Sequence, residues 1–439
     1  MNAVLIAVII MVGLSLARVH VILSLIIGAM MGGLIAGLSV ADTLTAFQDG
    51  LKNGAQIALS YAILGAFAMA IAHSGAPKFL ADKMTLRLNQ ASASHAVKWM
   101  LFGMIGLMAI FSQNLIPIHI AFIPLIIPPL LVLLNRLQVD RRLVACLITF
   151  GLVNAYMFLP YGFGDIFLNQ IILKNINDAG MDTADVSIMR VMAIPAFGML
   201  LGLLIAIFVS YRKPRTYQSI STHNTDTQAA ADTSSPYRTT VALVAIVVAF
   251  LVQLYTDSLL MGSIAGFAIF MASGVVKWHE ADHVFNDGIK MMAMIGLIMI
   301  SAQGFAEVIK TTGQIDSLVN GAMSLFGGNK GLAAFVMLVI GLVVTLGIGS
   351  SFSTVPILAA IYVPLCAALG FSMSATIALI ATAGVLGDAG SPASDSTLGP
   401  TMGLNIDGQH DHIKDSVIPT FIHYNIPLII FGWIAAMVL

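Results

Sequence analysis

The stretch LGDAGSPASDSTLGP, Leu386–Pro400, sets Asp388 and Asp395 among the hydroxyls of Ser391, Ser394 and Ser396 and the prolines Pro392 and Pro400. It follows directly on an apolar run, and no charged residue lies between Lys330 and Asp388. Carboxylates at the end of such a run are either a water-exposed connection or a polar site at membrane depth. The rest of the chain distinguishes the two.

Composition gives the setting. Of 439 residues, 58% are hydrophobic and 9% are charged, whereas soluble domains carry about a quarter charged residues. Apolar runs of about twenty residues cross a hydrocarbon core of about 30 Å as helices. Fourteen apolar segments are counted along the chain, from 2–17 to 415–438. Lipid leaves no water to satisfy backbone groups, so spanning segments must bond internally; the expected class is an all-α polytopic membrane protein. Segment 2–17 lacks a basic leader and a small-residue cleavage site, and is expected to be retained as a helix. Cys146 and Cys366 stand alone in apolar segments, with neither metal spacing nor a disulfide framework. There is no basic domain to bind nucleic acid.

Alternating the segments across a bilayer places fifteen basic residues on one face, among them Arg136, Arg141, Arg142, Arg212, Lys213 and Arg215, and five on the other. The positive-inside rule makes the richer face cytoplasmic. Both termini are then expected outside a bacterial inner membrane. One segment has ordinary soluble composition, Tyr211–Arg238, rich in Ser, Thr, Gln and Asp. Such a composition predicts a disordered cytoplasmic linker, here dividing residues 1–210 from 239–439.

The two divisions repeat each other. FQDGLK at Phe47–Lys52 is matched by FNDGIK at Phe285–Lys290. NLIPIHIAFIP, ending at Pro124, is echoed by FSTVPILAAIYVP, ending at Pro364. GLVNAYMFLPYGFGD, Gly151–Asp165, then aligns with GVLGDAGSPASD, Gly384–Asp395, pairing Asn154 with Asp388, Pro160 with Pro392 and Asp165 with Asp395. An odd number of crossings separates equivalent segments, so the second half is expected upside down relative to the first. Inverted-topology repeats of this kind are the signature of secondary transporters, whose site lies near the midplane between broken helices.

Candidate site residues follow from that frame. Asp388 and Asp395 would each cost a few kcal/mol at the centre of a lone spanning helix, so they should face a cavity, a partner or an ion. Pro392 removes a backbone donor, and Gly387 and Gly390 loosen the helix before it. The oxygens of Asp388, Ser391, Ser394 and Asp395 form a set suited to a hard cation such as sodium, with Asp388 and Ser391 as its nearest ligands; a desolvated carboxylate also carries a proton. Ser391–Pro400 reads equally as an exit loop with Asp395 solvated. Segments 97–112 with 115–135, and 331–349 with 354–370, are joined by very short tips and are either spanning or re-entrant. Ser112, Gln113 and Asn114 occupy one tip, and Ser350, Ser351, Ser353 and Thr354 the other. If re-entrant, the two tips meet at the midplane and line a substrate site. Asn154 and Asp165 complete the set as repeat mates.

Enzyme readings lack their signatures. Gly162-Phe163-Gly164-Asp165 fits the GxGD pattern of intramembrane aspartyl proteases, but no Tyr-Asp pair and no Pro-Ala-Leu accompany it. Neither HExxH, GxSxG nor a Walker loop occurs. No cofactor is expected beyond a coupling sodium ion or proton.

GDAGSPASDSTLGPT, with the paired hairpin motifs and the inverted halves, resembles the sodium/proton antiporter family related to NhaC, within the ion transporter superfamily. The resemblance covers most of the chain and is most specific at Gly387–Asp395. It implies a scaffold subdomain, a transport subdomain of two re-entrant hairpins and two broken helices, homodimerisation, elevator-like movement, and cation binding at Asp388. Similar carriers include permeases for amino acids, histidine among them, and for organic acids. The expected function is therefore sodium/proton antiport, with a cation-coupled amino-acid or organic-acid permease as the alternative.

Overall fold

A computed structural model describes residues 2–17, 19–76, 79, 95–114, 119–218, 235–256, 258–326, 328–348, 351–392 and 394–439. Among them every regular element is helical. The first half comprises α1 (Ala3–Leu16), α2 (Val21–Ile35), α3 (Val40–His73), α4 (His95–Asn114), α5 (His119–Arg136), α6 (Arg141–Phe158), α7 (163–178, with a π-helical middle at Ile166–Leu173) and α8 (Ile188–Ser210). The second comprises α9 (Pro236–Thr256), α10 (Leu259–Ala272), α11 (Trp278–Thr311), α12 (Ile315–Phe326), α13 (Lys330–Ile348), α14 (Ser351–Leu369), α15 (Met373–Val385), α16 (Asp395–Leu404) and α17 (His412–Val438).

Each apolar segment coincides with a helix, but hydropathy overstates how many cross a bilayer unaided. Five described helices are long and apolar enough to span alone, or six if the bent pair α15 and Asp388–Leu404 counts as one span. Hydropathy also truncates two elements. Segments expected at 52–72 and 288–309 are the apolar ends of α3 and α11, each 34 residues long. Their charged first turns are held by local chemistry rather than by burial. Ser39 Oγ accepts from Asp42 N at 3.0 Å, and Lys277 N donates to Glu280 Oε2 at 3.5 Å, both capping interactions. Inside the repeated motif, Lys52 pairs with Asp49 at 2.6 Å and Lys290 with Asp287 at 3.5 Å, one helical turn apart in each half.

Helices α3 and α11 lie side by side. A Cβ on Gly65 would fall 2.2 Å from Gly288 O, and one on Gly50 would fall 2.5 Å from Gln303 O. Numbers rise along one helix as they fall along the other, so the pair is antiparallel. Gly50 and Gly288 are the same position of the repeated motif, and each presses its bare backbone on the other helix. Small residues allow such approach within membranes, where dispersion contacts rather than water expulsion drive association. This crossing is compatible with halves of inverted topology. Helices α1, α2, α9 and α10 flank it, while α4–α8 and α13–α17 pack as a second group that holds the broken helices.

The expected linker begins with structured residues. Residues 211–218 carry defined contacts to both halves: Arg215 N donates to Gln138 O at 3.0 Å, and the Arg215 guanidinium meets Asp415 at 3.1 Å. Tyr217 Oη accepts from Arg141 N at 2.9 Å, and its ring lies 4.3 Å from the guanidinium of Arg141. Gln409 grips the backbone of Gln218 on both sides, accepting at 2.8 Å and donating at 3.3 Å. Composition alone misses this because three side chains, not the average, pin the segment. Residues 219–234 lie outside the described residues, and α9 begins at Pro236, inside the expected linker.

Candidate functional site

Two helices break at corresponding places. α6 ends at Phe158, Leu159 turns extended (φ −94°, ψ 110°), and Gly162 takes φ +61°. Pro160 bars Leu159 from the helical region. α15 ends at Val385, Leu386 turns out of the helix (φ −54°, ψ 133°), and Gly387 takes φ +89°, a value glycine adopts without strain. A short turn at Asp388–Gly390 and the extended Ser391 then lead to Ser394, whose hydroxyl caps α16 by accepting from Ser396 N at 3.0 Å. The stretch after Asp395 is thus a helix rather than an exit loop.

Asp388 sits inside the second break and is 7% exposed. Its carboxylate accepts from Tyr156 Oη, from Ser394 Oγ at 2.5 Å and from Ser351 Oγ at 3.5 Å. Tyr156 and Ser351 are themselves 3.0 Å apart. These groups come from α6, α14 and the break itself, so both halves meet on one carboxylate. Asn425 of α17 steadies the turn by accepting from Gly387 N at 3.2 Å, and its Nδ2 is buried without a partner. Among the described residues no Lys, Arg or His pairs with Asp388. Burying a lone carboxylate costs several kcal/mol, and each hydrogen bond to a charge returns about 1.5–3 kcal/mol. Ser396 bonds the carboxylate as well, but all four donors are neutral and leave its charge in place; a proton or a cation neutralises it.

The second hairpin tip reaches this carboxylate through Ser351, and the first is joined to the second through α7. Ser112, Gln113 and Asn114 are buried, as are Ser351 and Thr354. Asn114 Oδ1 accepts from Gly164 N at 3.0 Å, and the ring of the neighbouring Phe163 lies 4.8 Å from that of Phe352. The first residues of α7 therefore bridge the two tips. Phe167 completes a packed aromatic wall, 4.8 Å from Tyr156 and 5.1 Å from Phe352. Ser350 and the side chain of Ser353 lie outside the described residues.

Other expected positions have settings of their own. Ser391 is buried, with its hydroxyl 3.5 Å from Leu346 O, and its carbonyl accepts from Thr397 Oγ1 at 2.5 Å. Asp395 is exposed in the first turn of α16, where a carboxylate complements the helix dipole. Asp165 is half-buried and occupied by amides of its own helix, Asn169 at 2.6 Å and Gln170 at 3.1 Å. The pairing of Asn154 with Asp388 does not hold position for position: Asn154 lies within α6, whereas Asp388 lies beyond the end of α15. The equivalent points are Leu159 and Leu386, and the first half reaches Asp388 through Tyr156. Asn154 Oδ1 and Gln113 Oε1 are buried acceptors without a partner among the described residues. Tyr156 and Asn425 were not among the expected residues; the available signal was a hydroxyl or amide inside an apolar helix, in the case of Tyr156 less than one turn before a break.

On the face bearing the linker, Arg141 is fully buried and pairs with Asp407 through both guanidinium nitrogens at 2.6 Å, with Leu404 O and Asn135 as further acceptors. Burial pushes the Asp407 carboxyl up, but the Arg141 contact outweighs it and holds the group below its ordinary value. Nearby, burial pushes the imidazole of His410 down to about 4.

Comparisons agree with this architecture. The chain is 55% identical to "Uncharacterized membrane protein VP2115" of Vibrio parahaemolyticus and 48% identical to "Putative amino acid transporter YuiF" of Bacillus subtilis, over all of each chain. The solved structure of Neisseria gonorrhoeae MtrF, titled as illuminating a class of antimetabolite efflux pumps, shares the fold with a TM-score of 0.61 at 15% identity, covering 91% of this chain and 85% of that one. Family models described as Na+/H+ antiporter families match residues 147–433 and 2–88. The first of these spans both broken helices, and on that match the chain belongs to the Na+/H+ antiporter family.

Proposed function

We propose that this protein is a secondary active transporter that exchanges sodium for protons at Asp388, in an inner membrane with its basic face in the cytoplasm. One observation carries the reading: a buried carboxylate at a helix break, bonded to hydroxyls from both halves and paired with no basic side chain among the described residues. In one half-cycle the carboxylate is neutralised by a proton. In the other it holds a cation together with neutral oxygens such as those of Ser351 and Ser394. Each species displaces the other because both neutralise the same charge, which is the requirement for exchange. A proton on Asp388 keeps the site compatible with its apolar wall, and sodium does so only with oxygen ligands around it.

A second reading has its own support. Gln113 Oε1 and Asn154 Oδ1 are unpaired acceptors near the broken helices, of a kind that an ammonium group satisfies, and the Bacillus subtilis relative bears an amino-acid transporter's name. In that case Asp388 holds the coupling ion and the tips hold the solute. Purified protein in liposomes separates the two. A pH-sensitive dye inside the vesicles reports proton flux on addition of sodium if exchange is correct. Uptake of labelled histidine without a sodium-linked pH change supports the permease and rejects exchange.

A further inference from the structure

We infer that His412 is a positioning residue that holds the second break in the geometry that delivers Ser394 to Asp388; this rests on Asp388 being the ion site proposed above. Nothing in the motif points to His412, which lies well beyond it at the start of α17. Its Nε2 is 2.9 Å from Pro392 O, and its Nδ1 is 2.8 Å from Thr401 Oγ1. A carbonyl only accepts, so Nε2 carries the hydrogen. The imidazole thereby ties the broken segment to α16 and α17 at once.

The break depends on such ties because it has few of its own. Pro392 offers no N–H, and between α15 and α16 the backbone bonds are Gly390 N to Gly387 O at 3.2 Å and Ser394 N to Ser391 O at 3.3 Å. Its carbonyls are held from outside: Ser391 O and Ser394 O by Thr397 Oγ1 at 2.5 and 3.0 Å, and Pro392 O by His412. Thr397 lies on α16 itself and moves with it. Among the described residues, Asn425 bonds Gly387 N and Leu346 O accepts from the Ser391 hydroxyl; His412 holds the break at its far end, next to Ser394. Thr401, its second contact, continues to Ser416 at 2.8 Å, and Ser416 to His410 at 2.8 Å, so the histidine is itself seated in a bonded row. Releasing Pro392 O loosens the segment that leads into Ser394, whose hydroxyl is 2.5 Å from Asp388, without removing any group that touches the ion.

Two variants of the full-length protein test this. His412→Leu removes both bonds, whereas in His412→Gln the side-chain amide donates to Pro392 O and its oxygen accepts from Thr401. Hydrogen exchange followed by mass spectrometry on peptides covering 386–400 reads the break directly, without any transport assay. His412→Leu should speed exchange there roughly five- to tenfold, the consequence of losing one hydrogen bond, with α3 and α11 unchanged; His412→Gln should restore it. In liposomes His412→Leu should raise the half-saturating sodium concentration about tenfold, again with rescue by Gln. Unchanged exchange in His412→Leu, or equal damage in Leu and Gln variants, overturns the inference. If the wild-type protein moves neither sodium nor protons, the proposed function fails while the exchange measurement still decides the role of His412.

Discussion

The two helix breaks begin alike, each leaving its helix through a leucine and a glycine at positive φ, and then diverge in chemistry. The first contains no carboxylate; its nearest one, Asp165, is past the break and occupied by amides of its own helix. The second holds Asp388 within the break, facing groups from the other half. One half thus carries the charge, and the other supplies a neutral donor, Tyr156, and an aromatic wall. The two breaks share a backbone shape and differ in where they place a carboxylate.

The comparison breaks most decisively at the carboxylates. Asp388→Asn should reduce coupled flux to that of empty liposomes while gel filtration still reports folded protein, because the amide neither takes a proton nor neutralises a cation. Asp165→Asn should alter flux by less than about fivefold, the scale of one local hydrogen bond. Equal losses would mean that the breaks are chemically equivalent after all. Gly387→Ala should come next: its Cβ would lie 2.9 Å from Leu346 N at φ +89°, costing about 1–3 kcal/mol in thermal unfolding. Tyr156→Phe removes the donor that the first half lends, and should weaken sodium dependence roughly tenfold.

The smallest effect at neutral pH concerns the loop after α16. Burial pulls His410 from its ordinary 6.5 to about 4, so between those values the unfolded chain binds a proton that the folded chain lacks. Stability should therefore fall as pH drops from about 6.5 towards about 4. His410→Gln should flatten that part of a melting-temperature profile and leave pH 7.5 unaltered. A profile that keeps its slope would place its source elsewhere.

Much of this was legible before any coordinates. Hydropathy located the long apolar helices but not α7, α12 or α16, and the repeated FQDGLK and FNDGIK motifs marked the two long helices that pack together through Gly50 and Gly288. Asp388, Ser394 and Ser351 were readable because a carboxylate or hydroxyl in an uncharged run has few bland explanations. What stayed hidden depends on distance across the fold. Tyr156 lies over two hundred residues from Asp388, and its phenol looks like any other interior aromatic until the break turns it. Asn154 was misplaced because sequence alignment counts residues, whereas the breaks are registered by where Leu159 and Leu386 leave their helices. Asp395 looked equivalent to Asp388 by composition, yet one serves a helix end and the other is enclosed.

The attachment of Tyr217 and Gln218 beside Arg141 has a mechanical corollary. Between the halves, the chain is moored to the broken-helix group before it crosses to α9 in the group around α3 and α11. Any shift of that group relative to α3 and α11 therefore carries residues 211–218 with it, as part of the same body.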